Sequence, residues 1–217
     1  MASINDVVIK IATVNGTGSA SANGLLRKAI FRMGVPVVGK NYFPSNIQGL
    51  PTWYEIRVTG DGYQCRSDRV DIMVAMNAQT YAKDLAEVEP GGCLIYDSTW
   101  PRSSLLNRED ITIIGIPLSR MCNEHFDGAR ARILMKNIAY VGAIAALLDM
   151  DLEIIKVRRP TAVDDNDARG SSIPNKAVQL KGPVLQPGER RTFEVLWVNG
   201  FGLVTVHHAT ALRPASP

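Results

Sequence analysis

Apolar positions along the first 156 residues fall into short runs that alternate with stretches of helical spacing. Val7 to Val14 is a β-branched run with few polar interruptions, the pattern of a central strand covered on both faces. It stops at Asn15-Gly16-Thr17-Gly18. Ala22, Leu25, Leu26, Ala29, Ile30 and Met33 then recur at three-and-four spacing until Gly34 and Pro36 close the segment. Val35 to Gly39 reads as a short strand. Tyr54, Ile56 and Val58 alternate with Glu55 and Arg57, the period of a half-exposed strand running antiparallel at a sheet edge. Val70 to Met76 is another buried strand, followed by a helix that opens at Asn77 or Thr80 and runs to about Val88. Cys93 to Asp97 and Ile111 to Ile116 make two more strands. Ala129 to Leu148 carries Ile133, Leu134, Ile138, Val141, Ile144, Ala145 and Leu148 as a long apolar helical face.

This alternation predicts an α/β fold over residues 1–156: three layers, with a largely parallel sheet and helices on both faces. Ligands of such sheets sit beyond the carboxyl ends of the strands. That rule places Asn15 to Ser21, the segment after Val38, and Asn77 on one functional rim.

The chain changes character beyond residue 156. Residues 1–156 hold 16 Lys+Arg against 16 Asp+Glu, whereas 157–217 hold 8 against 5, so the whole net charge of +3 lies in the tail. The tail also carries 6 of the 12 prolines, and Thr161 to Pro174 has neither hydrophobic period. The expectation is an irregular, poorly packed C-terminal extension in which Arg191 to Asn199 and Gly202 to His207 have the composition of a hairpin. Its arginines are scattered and not interleaved with aromatics, which argues against nucleic-acid binding. The longest apolar stretch, Ile138 to Leu148, is too short to cross a membrane. No secretion signal precedes the first strand, so the cytoplasm is the expected compartment.

Candidate chemistry is sparse. Cys65, Cys93 and Cys122 stand at wide spacing without a CxxC pair, which argues against a disulfide frame, a zinc site or a cluster held by this chain. They read as reduced, mostly buried thiols. His125 reads as a surface residue before the long helix and has no nucleophile elbow beside it. His207 and His208 are adjacent on a strand and so face opposite ways. Asp68, Asp71, Asp164, Asp165 and Asp167 lack the spacing of a calcium loop and read as solvated carboxylates. No catalytic residue and no metal ligand is assigned.

Binding signals remain. Gly16-Thr17-Gly18 between a strand and a helix lets backbone approach a phosphate where the helix start offers free amides; the plainer reading is a tight strand–helix turn. Ser21 replaces the third glycine of a dinucleotide fingerprint, and Lys40 stands where an NAD site wants a carboxylate. The stretch from Gly39 to Gly49 is polar yet aromatic, a composition suited to a binding loop. Within it Lys40 suits a phosphate, while Asn41, Ser45 and Gln48 offer neutral hydrogen bonds. The alternative there is a solvated loop with Tyr42 and Phe43 tucked into the core.

Ile9 to Asn23, with its Asn15-Gly16-Thr17-Gly18-Ser19-Ala20-Ser21 centre, and Lys40 to Tyr54 resemble the gamma domain that begins the alpha subunit of 2-oxoacid:ferredoxin oxidoreductases, in particular the 2-oxoglutarate type. Asp71 to Asn77 and Tyr96-Asp97-Ser98 also resemble that family. The similarity covers about residues 5–156 and does not continue into the thiamine-pyrimidine domain that follows in such subunits. The resemblance implies a subunit or fragment of an enzyme that decarboxylates a 2-oxoacid on thiamine diphosphate, passes electrons through iron–sulfur clusters to ferredoxin, and delivers the acyl group to coenzyme A. It further implies that thiamine diphosphate and the clusters lie on other domains or partner subunits, that coenzyme A is the co-substrate this domain faces, and that the isolated chain is inactive. Gly16, Thr17, Gly18, Lys40 and Asn41 are the positions that could contact coenzyme A. The competing expectation is an independent α/β enzyme that binds NADP or another phosphorylated nucleotide.

Overall fold

The computed structural model describes residues 5–43, 49–63, 65–100, 102 and 107–151, and the backbone of two strands at 190–198 and 204–212. β1 (Val7–Val14) leads into α1 (Ser19–Arg32), then β2 (Val37–Tyr42), β3 (Pro51–Val58) and β4 (Ile72–Ala75). α2 (Tyr81–Ala86), β5 (Cys93–Asp97), β6 (Thr112–Ile116), α3 (Leu118–His125) and α4 (Ala129–Leu147) follow, and β7 (Arg190–Val198) and β8 (Val204–Leu212) complete the described chain.

One sheet runs in the order β2-β3-β1-β4-β5-β6-β8-β7. β1, β4, β5 and β6 pair in parallel, as their apolar runs require, because each is covered on both faces. β3 lies antiparallel between β1 and β2, so β2 still points the same way as β1. The alternating Tyr54–Val58 strand is antiparallel as expected, but β2 and not β3 holds the edge. β7 and β8 form an antiparallel hairpin, with β8 antiparallel beside β6 through Ile113 and Leu212. The expected linker at Thr161 to Pro174 lies outside the described residues.

Helices cover both faces, giving the expected three layers. Ile9, Ile11, Ile56, Ile72, Val74, Ile95 and Ile114 pack toward α1, α3 and α4 with Leu26, Ile30, Met121, Tyr140 and Ile144. On the other face Met73, Ala75 and Leu94 pack with Tyr81 and Leu85 of α2. Burying side chains of this size contributes roughly 1.5–3 kcal/mol each. Three local expectations need correction. Lys40 to Tyr42 continue β2, because their alternation lets them pair with Glu55 to Trp53. α3 forms where no helix was expected: only Leu118, Met121 and Cys122 of its eight residues are buried, too few to stand out as a period. Of the apolar face expected for α4, Val141, Ile144, Ala145 and Leu148 are buried, whereas Ile133, Leu134 and Ile138 are exposed and Asn137, Ala139, Tyr140, Ala143 and Leu147 are buried in addition. Small residues let α4 approach its neighbours closely, and that outweighs bulk on the other side.

α2 is short and is pinned to the sheet by polar bonds. Asp84, fully buried, accepts a hydrogen bond from Trp53 Nε1 of β3 at 2.9 Å and from Thr80 Oγ1 at 2.6 Å. Asp71 is likewise no freely solvated carboxylate, since it accepts from Val8 N at 2.7 Å and Arg69 Nε at 2.9 Å. Desolvation raises the Asp84 pKa above its ordinary 3.8, although the bonds from Thr80 and Trp53 pull it down. The folded state therefore holds this proton more tightly than the unfolded chain does, so the contribution of Asp84 to stability is greatest below the ordinary value and is lost as pH rises through the raised one. Asp84→Asn abolishes that titration. Its stability relative to wild type, measured by urea unfolding, should rise between about pH 4 and pH 7; a flat or falling difference would contradict the assignment.

Candidate functional site

The carboxyl end of β1 supplies the turn that sequence reading singled out. Gly16 and Gly18 both adopt left-handed backbone, φ 86° and 79°, which side-chain-bearing residues seldom take up. Thr17 Oγ1 closes the turn by donating to the Val14 carbonyl at 2.8 Å. From α4, the buried Asn137 donates its Nδ2 to the Thr17 carbonyl at 2.9 Å. In a trans peptide the carbonyl and the following amide point opposite ways, so this bond aims the Gly18 N–H away from α4. Gly16, Gly18, Ala20 and Ser21 are exposed, and the first turn of α1 has neither an acidic residue nor a side-chain cap. The positive end of the helix dipole is therefore open to an anion.

The rest of the rim is built by short polar ties. The Ser19 and Thr13 hydroxyls lie 2.9 Å apart, and Asn77 donates to the Thr13 carbonyl at 3.3 Å, joining the ends of β1 and β4. Asn15 N donates to the Leu50 carbonyl at 2.8 Å and Gly49 N to the Asn15 carbonyl at 3.1 Å, fastening the end of the polar loop beside the glycine turn. At the end of β5, Asp97 accepts from Thr99 Oγ1 at 2.6 Å and from the amide and hydroxyl of Ser119 at the start of α3. That carboxylate is fully engaged in tying two elements together. Ser45 and Gln48 lie outside the described residues.

The five expected contact residues separate into two groups. Asn41 shares the α1 face with the glycine turn: its Oδ1 accepts from Thr52 Oγ1 at 3.3 Å, and Thr52 stands opposite Thr13 in the β3–β1 register. Lys40 points to the other face. It sits in one cross-strand row with Glu55 and Lys10, and Lys10 Nζ reaches Glu87, just after α2, at 2.5 Å. The structure therefore brings Gly16, Thr17, Gly18 and Asn41 to one side of the sheet and sets Lys40 on the opposite side, farther down its strand. Beside Lys40, Tyr42 is half-buried and Phe43 is exposed, so neither ring is tucked into the core.

This arrangement can bind and orient an anion. Among the described residues no three His, Cys, Asp or Glu side chains come together as a metal site. Desolvation pushes the Cys93 thiol up to about 12 and the Cys122 thiol up to about 11, so both stay protonated. Cys65 is exposed, and His125 ends α3 at the surface. Sequence reading missed Asn137 and Asp97 as organisers of the rim. A polar residue inside an apolar helix was the available signal for Asn137, and Pro-Leu-Ser at 117–119 was the signal for a helix start opposite Asp97.

The family model described as pyruvate ferredoxin/flavodoxin oxidoreductase matches residues 8–160. The chain belongs to that family. Subunit alpha of 2-oxoacid:ferredoxin oxidoreductase 2 from Aeropyrum pernix is 28% identical over 122 residues, which are 56% of this chain and 18% of that protein. This oxidoreductase-family chain thus spans about a fifth of the curated relative's length. Among solved structures, the 2-oxoglutarate:ferredoxin oxidoreductase from Magnetococcus marinus, with 2-oxoglutarate, coenzyme A and succinyl-CoA bound, superposes with a TM-score of 0.61 at 24% identity, covering 70% of this chain and 26% of that one. A pyruvate oxidoreductase subunit from Thermotoga maritima gives 0.56 at 15% identity, covering 70% and 82%. The gamma subunit of a keto/oxoacid ferredoxin oxidoreductase from Geobacter sulfurreducens gives 0.52 at 19%, covering 69% and 82%. These likenesses show the shared fold. In this family member the described helices include none long and apolar enough to cross a membrane.

A Cβ at Gly18 would lie 2.6 Å from Cδ2 of the exposed Leu134, the end of a flexible side chain that can swing aside. The left-handed backbone therefore sets the cost of Gly18→Ala, about 1–2 kcal/mol. In a Leu134→Ala background that cost should stay the same within about 0.5 kcal/mol in a denaturation double-mutant cycle. A larger coupling would mean that α4 constrains the turn sterically as well.

Proposed function

We propose that this chain is the gamma-domain component of a 2-oxoacid:ferredoxin oxidoreductase and helps to form the coenzyme A site and the subunit contacts for oxidative decarboxylation. The observation that carries this reading is the glycine turn at the start of α1: left-handed glycines, a Gly18 amide turned away from α4 by the Asn137 bond to the Thr17 carbonyl, and a helix start without acidic residues. Those features fit a phosphate-bearing ligand. Gly16, Thr17, Gly18 and Asn41 would hold a phosphate of coenzyme A from the α1 side, with Lys40 acting from the other side of the sheet. Coenzyme A supplies the thiol that takes up the acyl group; this chain binds and orients it.

The chemical steps belong to partners in this reading. Thiamine diphosphate and iron–sulfur clusters would be carried on other domains or subunits, ferredoxin would accept the electrons, and the assembly would work in the cytoplasm. The buried Cys93 and Cys122 thiols stay protonated, so this reading gives them no part in the chemistry. The 2-oxoglutarate type is favoured by the polar-loop motif Lys40 to Tyr54 and by the likeness to the Magnetococcus marinus enzyme. The competing NADP enzyme fits less well. In a dinucleotide crevice the second strand lies beside the first, whereas here β3 intervenes and carries Lys40 away from the glycine turn.

Ser21→Asp separates ligand binding from folding, because a carboxylate in the first turn of a helix stabilises the helix yet repels an anionic ligand. In the assembled enzyme it should raise the apparent KM for coenzyme A by about tenfold and leave that for the 2-oxoacid unchanged. Unchanged KM values, or equal effects on both substrates, would refute the coenzyme A role.

A further inference from the structure

The segment after β5 is held at both ends and displays two side chains that the proposed function leaves unused. At its start Thr99 Oγ1 donates to Asp97 at 2.6 Å and accepts from Arg120 N at 3.0 Å. At its end Arg108 Nη1 donates to the Leu85 and Val88 carbonyls at 3.0 and 2.8 Å. Between these ties Trp100 is 60% exposed, the most exposed of the large apolar side chains among the described residues. Two positions on, the Arg102 guanidinium lies 5.1 Å from the ring centre of Tyr81. Tyr81 is buried, and Tyr96 meets it edge-on with ring centres 6.0 Å apart, so the ring that carries the guanidinium is fixed. Arg102 makes no ion pair or hydrogen bond among the described residues.

A guanidinium stacked on a ring keeps its N–H edge free for a carboxylate, and its planar fork is already oriented. A purely apolar partner would strip water from Arg102 without replacing it, a cost that only a paired charge offsets. A small carboxylate would satisfy Arg102 and leave Trp100 in water. A second copy meeting this patch with its own would oppose Arg102 with Arg102. A protein surface with an acidic side chain beside an apolar hollow satisfies both residues, and Trp and Arg are the side chains that most often anchor such contacts. The place on the sheet says which protein. β5 lies two strands from β1, so this pair stands on the same carboxyl rim as the glycine turn, roughly 10 Å along it. In the proposed function the acyl group is carried by a partner and the thiol that takes it up is held at this rim, so that partner must face the rim. We infer that Trp100 and Arg102 are the docking anchor for the acyl-bearing partner chain, with Trp100 entering an apolar hollow and Arg102 pairing with an aspartate or glutamate beside it. This inference rests on the component reading for the identity of the partner and on Trp100 and Arg102 for its place.

Calorimetric titration of the purified full chain with the thiamine-diphosphate-bearing chains that co-elute with it tests the anchor. Trp100→Ala and Arg102→Gln should each weaken association about tenfold or more, with melting temperatures within about 2 °C of wild type because neither side chain belongs to the core. Phe31→Ala, which removes an apolar ring of similar exposure near the far end of α1, should bind as wild type does. Added salt should weaken wild-type association more than that of Arg102→Gln. Wild-type affinity in either anchor variant, an equal loss in Phe31→Ala, an equal salt effect, or a fall in melting temperature that accounts for the loss would overturn the anchor. So would a dimer of the chain alone that Trp100→Ala dissociates. The two readings fail separately. If wild type co-elutes with such chains and both anchor variants bind them unchanged, the anchor fails and the component reading stands. If wild type co-elutes with none, the component reading fails and the docking inference falls with it.

Discussion

The antiparallel insertion of β3 between β1 and β2 governs what the rim can hold. It uses the hydrogen-bonding edge of β1 that a dinucleotide-binding sheet would give to its second strand, and it moves β2 out to the sheet edge. Because residues alternate across a pleated sheet, the same register sends Asn41 toward the start of α1 and Lys40 toward α2. Gly49 and Leu50, which lead into β3, are tied to Asn15, so the start of β3 lies beside the glycine turn. The placement of the glycine turn and Asn41 on one face of the sheet and of Lys40 on the other follows from this single pairing.

Polar contacts buried around that corner keep it in place. Asn137 on α4 holds the turn by its Thr17 carbonyl, Tyr140 donates to Asn23 of α1 at 2.8 Å, and Trp53 donates to Asp84. Each bond joins a helix to its neighbour across the core boundary, and losing one partner would leave a buried polar group unsatisfied at about 1–3 kcal/mol. Such ties stabilise little in net terms but strongly prefer one arrangement over others. In the proposed binding role that rigidity would help, since a preorganised turn loses less entropy when a ligand arrives.

Much of this was legible in the residues. The central strands announce themselves because burial on both faces leaves continuous β-branched runs such as Val7 to Val14, and the glycine turn follows from where that run stops. The polar stretch after Gly39 read as a loop because its Lys, Asn and Tyr mask the alternation that makes Lys40 to Tyr42 part of β2. α4 was legible as a helix and in the later half of its packed face, at Val141, Ile144, Ala145 and Leu148, but the small Ala139 and Ala143 gave no signal of burial and the bulky Ile133, Leu134 and Ile138 gave a false one. The Trp53–Asp84 bond spans 31 positions, and no periodicity signals a long-range polar tie of that kind.

The central claim is that this chain binds and positions while partners perform the chemistry. Affinity purification of the full chain from its native cells, with identification of everything that elutes with it, tests that claim most directly. Stoichiometric co-elution with chains that carry thiamine diphosphate and iron–sulfur clusters, and 2-oxoacid-dependent ferredoxin reduction only in those fractions, is the expected result. Elution of the chain alone, or ferredoxin reduction by the chain freed of every partner, would contradict it.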